Sequence, residues 1–181
     1  MKRSTLFFSV LCLLLALGAA TGFAQSAALA VTANKTSVDG VVHPEEYSFT
    51  KAFGPVTISA NRTAGTLYLA LTGTTSGWVA LGLGSLKMNG ATIFMGFVGD
   101  DGKVQFTSQA GRGHSHNNVT AAVVSYAVKT AGDTTTMEIA LNANEYVKSG
   151  QTALQLIFAI GADKSFASYH SYRNSLSLTL S

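Results

Sequence analysis

The sequence predicts an all-β fold, a two-sheet antiparallel β-sandwich of the immunoglobulin-like type with little helix. Segments such as 56–60 and 176–180, in which large apolar residues alternate with small or polar ones, are typical of half-buried strands. Turn-forming pairs such as Asp39-Gly40 and Asp101-Gly102 lie between such segments. Only 12% of the residues are charged, and Thr, Ser, Ala and Gly are abundant, which favours strands and turns over surface helices.

The first 24 residues have the features of a Sec-type signal peptide rather than of a folded segment. A basic start, Lys2-Arg3, precedes an apolar run at 6–17 that is too short to span a membrane comfortably. Gly22-Phe23-Ala24 then fits a small-x-small cleavage pattern. We expect a periplasmic or extracellular protein whose mature chain lacks Cys12, the only cysteine, and therefore has no disulfide.

The rest of the chain divides into an N-terminal segment, 25–37, and one sandwich domain, 38–181. About 155 residues suffice for a full hydrophobic core. Without Lys2 and Arg3, ten basic residues face nine acidic ones, so the net charge falls from +3 to +1. No basic stripe remains, which argues against a nucleic-acid partner. No second long apolar run follows, so we expect no membrane span after cleavage.

The predicted elements follow one another with short connections. Apolar and β-branched clusters predict strands at 29–33, 56–60, 67–71, 79–83, 91–98, 104–108, 119–129, 134–141, 154–160 and 176–180. Helix is limited to one turn at 45–47 and a short segment at 142–148. Polar, glycine-bearing loops are predicted at 109–118 and 161–171.

The stretch 77–98 is the part of the chain around which the rest is organised. It begins beside Trp78, the only tryptophan, and continues into a predicted strand whose large residues alternate with Ala80, Gly82 and Gly84. A strand face made of small residues allows a flat or bulky group to approach the sheet closely. Met88 follows in a polar connection, where no packing role explains a thioether. We therefore expect a ligand near this strand.

The histidines offer two further candidate sites. His114 and His116 are two residues apart and would point to the same side of an extended backbone, but no cysteine or third ligand accompanies them. A solvated loop is the preferred interpretation, and a metal site is the alternative. His170 lies among two tyrosines and an arginine where the loop 161–171 meets the last strand. That setting suits a ligand site better than a core, although a structural histidine is more common.

A methionine and a histidine together can ligate haem iron, and thioether ligation raises the reduction potential. The sequence contains no Cys-x-x-Cys-His, so a haem would be bound non-covalently. Sequence spacing does not show that Met88 and His170 meet. The chain also lacks the Gly-x-Ser-x-Gly elbow, the phosphate loop and the zinc-protease helix, so we expect no enzyme.

Several motifs together resemble the DOMON domain family, over about residues 38–180. The most specific is Gly77-Trp78-Val79-Ala80-Leu81-Gly82-Leu83-Gly84 followed by Met88-Asn89-Gly90-Ala91. The others are Val38-Asp39-Gly40, Glu46-Tyr47, Leu67-Tyr68-Leu69-Ala70-Leu71, Gly96-Phe97-Val98, Asp101-Gly102, and Phe158-Ala159-Ile160-Gly161 with the later His170 and Arg173.

This resemblance implies an extracytoplasmic β-sandwich like the cytochrome domain of cellobiose dehydrogenase and related b-type cytochromes. Some members bind haem b through a methionine in the loop after the GWxAxG strand and a histidine near the C-terminal strand. Those positions match Met88 and His170. The resemblance thus implies an exported single-electron carrier that works with a redox partner not identified by the sequence. Other members are thought to bind sugars or to lack a cofactor.

The cofactor-binding residues that follow from this interpretation are Met88, His170, Trp78, Gly82, Gly84, Tyr172 and Arg173. Phe94 or Phe97 would wall the pocket, and Tyr169, Tyr172 or Arg173 would meet the haem propionates. The alternative is a haem-free module for a carbohydrate or another small ligand. Its stacking residues would be Trp78, Tyr68, Tyr169 and Tyr172.

Overall fold

The computed structural model describes residues 28–181, so the predicted signal peptide, 1–24, lies outside the described residues. The elements are β1 (Ala28–Leu29), a 3-10 turn (Pro44–Glu46), β2 (Phe49–Phe53), β3 (Val56–Arg62), β4 (Thr66–Thr74), β5 (Val79–Leu83), β6 (Thr92–Val98), β7 (Val104–Arg112), β8 (Ser115–Asn118), β9 (Ser125–Ala131), β10 (Thr134–Asn142), α1 (Ala143–Tyr146), β11 (Ala153–Ile160) and β12 (Tyr172–Leu180). None of the helices in this described part is long and apolar enough to cross a membrane.

The strands form two sheets, which confirms the predicted all-β sandwich. One sheet has seven strands in the order β1-β12-β11-β5-β6-β7-β8, and the other has five in the order β2-β3-β4-β10-β9. The pairings are antiparallel except for β1 with β12. The inward faces of both sheets form the main core, which includes Leu69, Leu81, Phe94, Ile139 and Phe158. Because side chains alternate along a strand, each sheet also has an outer face.

The predicted loop 109–118 is wrong, because these residues form the β7–β8 hairpin. Its turn has Gly113 at φ 59°, a backbone conformation that favours glycine. Residues 109–118, which are the end of β7 and the edge strand β8, are mostly polar, so no hydrophobic period marks them in the sequence. The first predicted strand, 29–33, shrinks to β1, and β2 was not predicted. The two short helical segments are confirmed at Pro44–Glu46 and Ala143–Tyr146.

The outer face of the five-stranded sheet, here called the closed face, is covered by the chain before β2. Tyr47 packs there with Tyr68, Ala70 and Ala140. The fully buried Glu138 carboxylate accepts hydrogen bonds from the backbone N–H groups of Asp39 and Gly40 and from the Tyr47 hydroxyl. Burial, and secondly this hydrogen bond to Glu138, raise the pKa of Tyr47 well above its usual range. The closed face therefore leaves the Glu138 carboxylate well satisfied.

The outer face of the seven-stranded sheet, here called the pocket face, carries a second buried apolar cluster. It consists of Trp78, Ala80, Ala91, Ile93, Met95 and Phe97, with Met88, Ile157, Ala159 and Phe166 packed against it. No strand layer covers this cluster within the described chain. Loops surround it instead, and they enclose a cavity.

Candidate ligand-binding site

The cavity on the pocket face has a volume of about 970 Å³. That volume is at the upper end of the range typical of small-molecule and cofactor pockets. Strands β5, β6 and β11 supply an apolar floor, made of Ala80, Gly82, Ile93, Met95, Ile157 and Ala159. These residues face outward because their neighbours, such as Leu81 and Phe94, point into the main core.

Gly82 lies directly opposite Ile157 in the β5–β11 pairing. A Cβ atom at position 82 would lie 2.5 Å from Ile157 Cγ1 and 3.4 Å from Ala91 Cβ. Glycine therefore lets the Ile157 side chain extend across the floor. The face of small residues predicted for β5 is present, and the Ile157 side chain fills part of the space above it.

Met88 lies in one wall of the cavity, and strand β7 fixes its backbone. Its carbonyl accepts a hydrogen bond from Ala91 N at 3.1 Å, while Gly90 N donates to Gly111 O at 3.0 Å and Gly111 N donates to Ala91 O at 2.9 Å. A Cβ atom at Gly111 would collide with the Met88 carbonyl. The Met88 side chain is half-buried against the apolar cluster, so the loop holds the thioether at the cavity.

The β7–β8 hairpin extends this wall and brings His114 and His116 to the same cavity. Gly113 N donates to Asn89 Oδ1 at 3.0 Å, which ties the hairpin turn to the Met88 loop. His114 is exposed, whereas His116 is half-buried and its Nδ1 atom is buried without a hydrogen-bond partner. Within residues 28–181, no group of three His, Cys, Asp or Glu side chains is arranged to hold a metal ion.

His170 lies in the opposite loop, 161–171, which Trp78 anchors to the sheet. The indole Nε1 donates to Ser168 Oγ at 2.8 Å, and Ser168 Oγ donates to Ser165 O at 2.9 Å. Phe166 packs edge-on against Phe97, with ring centroids 4.8 Å apart. At the end of the loop, Ser171 N donates to Ile160 O at 2.8 Å. These contacts hold an exposed His170 at the cavity.

Five of the predicted binding residues line this cavity: Trp78, Gly82, Met88, His170 and Arg173. Their convergence follows from the strand order, since β5 pairs with both β6 and β11, and β11 pairs with β12. Tyr169, which is 92% exposed beside His170, also lines it.

Four other predicted residues do not line the cavity. One of them, Phe97, lies in the pocket-face cluster, where Phe166 packs against it. Tyr172 pairs with Ile160 on the core side of the sheet and packs against the main core, whereas the next residue, Arg173, points outward. Consecutive strand residues point to opposite faces, and here Arg173 takes the cavity side while Tyr172 takes the core side. Gly84 is exposed at φ 91° just after β5, outside the cavity lining. Phe94 is fully buried between the sheets, where it stacks on Phe106.

The stacking residues of the alternative interpretation do not converge either. Trp78 lines the cavity but is 4% exposed, and Tyr68 is buried on the closed face. Tyr169 is the one exposed ring of that set at the cavity. Sequence reasoning missed that His114 and His116 belong to this site. The only available signal was their spacing of two, which is typical of side chains on one face of a strand.

The residues at the cavity fit a haem group in their chemistry. The floor is apolar, one wall carries a thioether and the opposite loop carries an imidazole, which are the donor types of a six-coordinate electron-transfer haem. Within the described residues, neither the Met88 sulfur nor the His170 imidazole has a hydrogen-bond partner, so both are available as ligands.

No protein-family model matches the sequence, and no curated relative matches it. Two cytochrome domains are among the solved structures that share its fold. The cytochrome b domain of pyranose dehydrogenase from Coprinopsis cinerea aligns with a TM-score of 0.54 at 10% identity, covering 68% of this chain and 76% of that domain. The cytochrome domain of cellobiose dehydrogenase from Myriococcum thermophilum aligns with a TM-score of 0.52 at 12% identity, covering 70% and 75%.

The chain has the same β-sandwich fold as these two cytochrome domains. The resemblance noted in the sequence is thus confirmed at the level of the fold, which is what identities of 10% and 12% establish. A protein from Bacteroides uniformis, described as carbohydrate-binding, also aligns over 84% of this chain, at 12% identity and a TM-score of 0.43. That score is too low to carry an argument about this chain.

Proposed function

We propose that this protein is an exported b-type haem protein that transfers single electrons, and that Met88 and His170 would hold the haem iron. The observation that carries the proposal is that these two residues, far apart in the sequence, line one cavity with an apolar floor. The cytochrome b-like fold supports it. The signal-peptide pattern of residues 1–24 supports a periplasmic or extracellular location.

In this proposal each part of the cavity has a separate role. The Met88 loop and the loop 161–171 present the two donors, and Trp78 holds the second loop through Ser168. The floor residues, among them Ala80, Ile93 and Met95, exclude water from the ligand. A bound haem would supply an iron centre that changes oxidation state by one electron, with its potential raised by thioether ligation.

We propose no catalytic role for this chain. Single electrons would pass between the bound haem and a separate redox protein. His170 is exposed, so the His170 side of the cavity opens to the surface where such a partner can approach. The identity of the donor and acceptor is a question for biochemical fractionation of the native envelope or secreted fraction.

The test is a visible spectrum of the mature protein, purified with hemin supplied, before and after dithionite. We expect a sharp Soret band and the reduced α and β bands of a six-coordinate b-type haem. Met88→Ala should lower the reduction potential or release haem, and His170→Ala should abolish stable binding. His43→Ala, at an exposed histidine outside the cavity, is the matched control.

Two results would count against the proposal. Unchanged haem spectra in both Met88→Ala and His170→Ala would refute the ligand assignment. No Soret band after hemin titration would refute haem binding itself. In that case the carbohydrate-binding alternative comes forward, and a Tyr169→Ala variant in a glycan-binding screen tests it, because Tyr169 is the exposed ring at the cavity.

A further inference from the structure

The charges around the cavity are all of one sign. Lys87 and Arg173 line it together with His114, His116 and His170, and no aspartate or glutamate is among the lining residues. A cleft lined by one sign of charge concentrates ligands of the opposite sign.

The two permanent cations have no protein partner. Within residues 28–181 the ion pairs are Lys103 with Asp101 and Lys164 with Asp100, and neither involves the cavity. Lys87 and Arg173 are exposed at the edge of the cavity, on the Met88 side and the His170 side respectively. An unpaired arginine fork at a pocket edge is suited to bidentate binding of a carboxylate.

His116 adds a third, independent observation. Its Nδ1 atom is buried without a hydrogen-bond partner in the described chain, although the imidazole lines the cavity. Because Nδ1 has no accessible surface, a ligand would meet this imidazole through Nε2, which also has no hydrogen-bond partner in the described chain. The hairpin that carries His116 is tied to the Met88 loop through Gly113 and Asn89, so this imidazole is held in place.

We infer that the cavity recognises a ligand through its carboxylate groups, with Lys87 and Arg173 binding the carboxylates and His116 contributing a further hydrogen bond. This inference deepens the proposed function. With haem as the ligand, the carboxylates are the two propionates. The same chemistry also fits an acidic sugar such as a uronate, so the experiment has one arm for each source.

The first arm compares hemin with iron protoporphyrin dimethyl ester, in which both propionates are esterified, delivered in the same detergent. We expect the ester to bind the unaltered protein at least about tenfold more weakly than hemin does, because esterification removes the charge-assisted hydrogen bonds to the carboxylates. Arg173→Gln and Lys87→Gln should each weaken hemin binding by about tenfold and leave ester binding unchanged. His116→Phe should act in the same direction with a smaller loss.

Lys35→Gln, an exposed lysine that does not line the cavity, is the matched control. Raising the salt concentration should weaken hemin binding and spare the ester, because exposed charges are screened. Equal affinity for hemin and ester in the unaltered protein would overturn the inference while leaving haem binding intact. An equal loss of affinity for hemin and for the ester in Arg173→Gln would also overturn the inference.

If neither porphyrin binds, the haem proposal fails and the second arm decides the inference. Titration calorimetry with oligogalacturonate and with neutral galactose oligomers then separates charge recognition from sugar recognition. Binding of the acidic oligomer that Arg173→Gln abolishes supports the inference. Binding of the neutral oligomer alone, or of neither, overturns it.

Discussion

The two outer faces of the sandwich differ in how the polar side chains at their centres are paired. On the closed face, the fully buried Glu138 carboxylate accepts three hydrogen bonds from residues 39, 40 and 47. On the pocket face, the Met88 sulfur and the His170 imidazole have no hydrogen-bond partner within the described chain, and His116 Nδ1 is buried without one. Both faces carry an apolar cluster, and the chain itself covers only one of them.

This difference predicts that the closed face contributes mainly to folding stability and the pocket face mainly to ligand binding. Groups that satisfy each other within the chain lower the free energy of the folded state, and changing them costs stability. Side chains left unpaired around a cavity add no hydrogen bond to the folded state and can bind a ligand instead. Substitutions on the closed face should therefore change unfolding more than ligand binding, and substitutions around the cavity should do the reverse.

The largest effect is expected from Glu138→Ala on the closed face. The substitution leaves three donors without their acceptor, in a site with little access to water. The free energy of unfolding, measured in urea, should fall by about 3 kcal/mol. Hemin affinity of the folded protein should stay within about twofold, a change of less than 0.5 kcal/mol. Glu145→Ala, at an exposed carboxylate on α1, is the control.

If the free energy of unfolding falls no further in Glu138→Ala than in Glu145→Ala, the proposed difference between the two faces is wrong. That result would mean that water replaces the carboxylate at little cost. A loss of hemin binding in the folded variant would show instead that the two faces are coupled.

Gly111→Ala is expected to act on both properties. Its Cβ atom would collide with the Met88 carbonyl, so the Met88 loop and β7 must move apart. Unfolding free energy should fall by about 2 kcal/mol, as for other overpacking substitutions. The reduction potential or the six-coordinate spectrum should change as Met88 moves. Gly65→Ala is the control, because a Cβ there meets no atom within 4 Å of the described chain. Identical spectra and stabilities in the two variants would contradict this account of the Met88 wall.

Ser168→Ala tests the same difference between the faces by a change on the pocket face. It removes the acceptor of the Trp78 indole N–H and loosens the loop that carries His170. Unfolding free energy should fall by about 1 kcal/mol, and hemin affinity should fall several-fold more than in Glu138→Ala. Ser177→Ala, at an exposed serine on β12 away from the cavity, is the control. Unchanged hemin affinity in Ser168→Ala would show that this hydrogen bond does not position the loop.

Tyr47→Phe is expected to have the smallest effect. At neutral pH it removes one hydrogen bond to Glu138, so the free energy of unfolding should fall by about 1 kcal/mol. Its effect depends on pH, because burial raises the pKa of Tyr47 above that of an unfolded tyrosine, about 10. Above pH 10 the unfolded chain loses this proton while the folded chain keeps it. The unaltered protein should therefore lose stability, by up to about 1.4 kcal/mol per pH unit from this group.

In Tyr47→Phe this contribution is absent, so the stability difference between the two proteins should shrink as the pH rises from 10 towards 11. Urea unfolding at four pH values between 8 and 11 measures it. Tyr169→Phe, at a tyrosine that is 92% exposed, is the matched control. Parallel pH profiles for the unaltered protein and Tyr47→Phe would rule out the effect.

The sequence predicted more of the main core than of the cavity. Alternation in 56–60, 79–83 and 176–180 predicted strands that the structure contains, because burial of one sheet face imposes a period of two. Residues 109–118, the end of β7 and all of β8, carry no such period, so they were predicted as a loop. Two of the cavity's histidines were placed in that loop, and their part in the site was missed for that reason.

Tyr172 and Arg173 illustrate the same limit on a smaller scale. Both are reasonable contacts for an acidic ligand by residue type. Once β12 extends to Tyr172, alternation places one side chain in the core and the other at the cavity. The predicted last strand, 176–180, stopped short of both residues, so the sequence offered no basis for choosing between them.

The sequence by itself determined the class of the fold and the two faces of its main strands, because alternation is a local property of the chain. It also supplied the donor types, Met88 and His170. Only the tertiary structure decided that these donors share a cavity with Arg173 and His116. Their meeting depends on the order β12-β11-β5-β6-β7-β8, which long-range strand pairing sets, and no local pattern encodes that order.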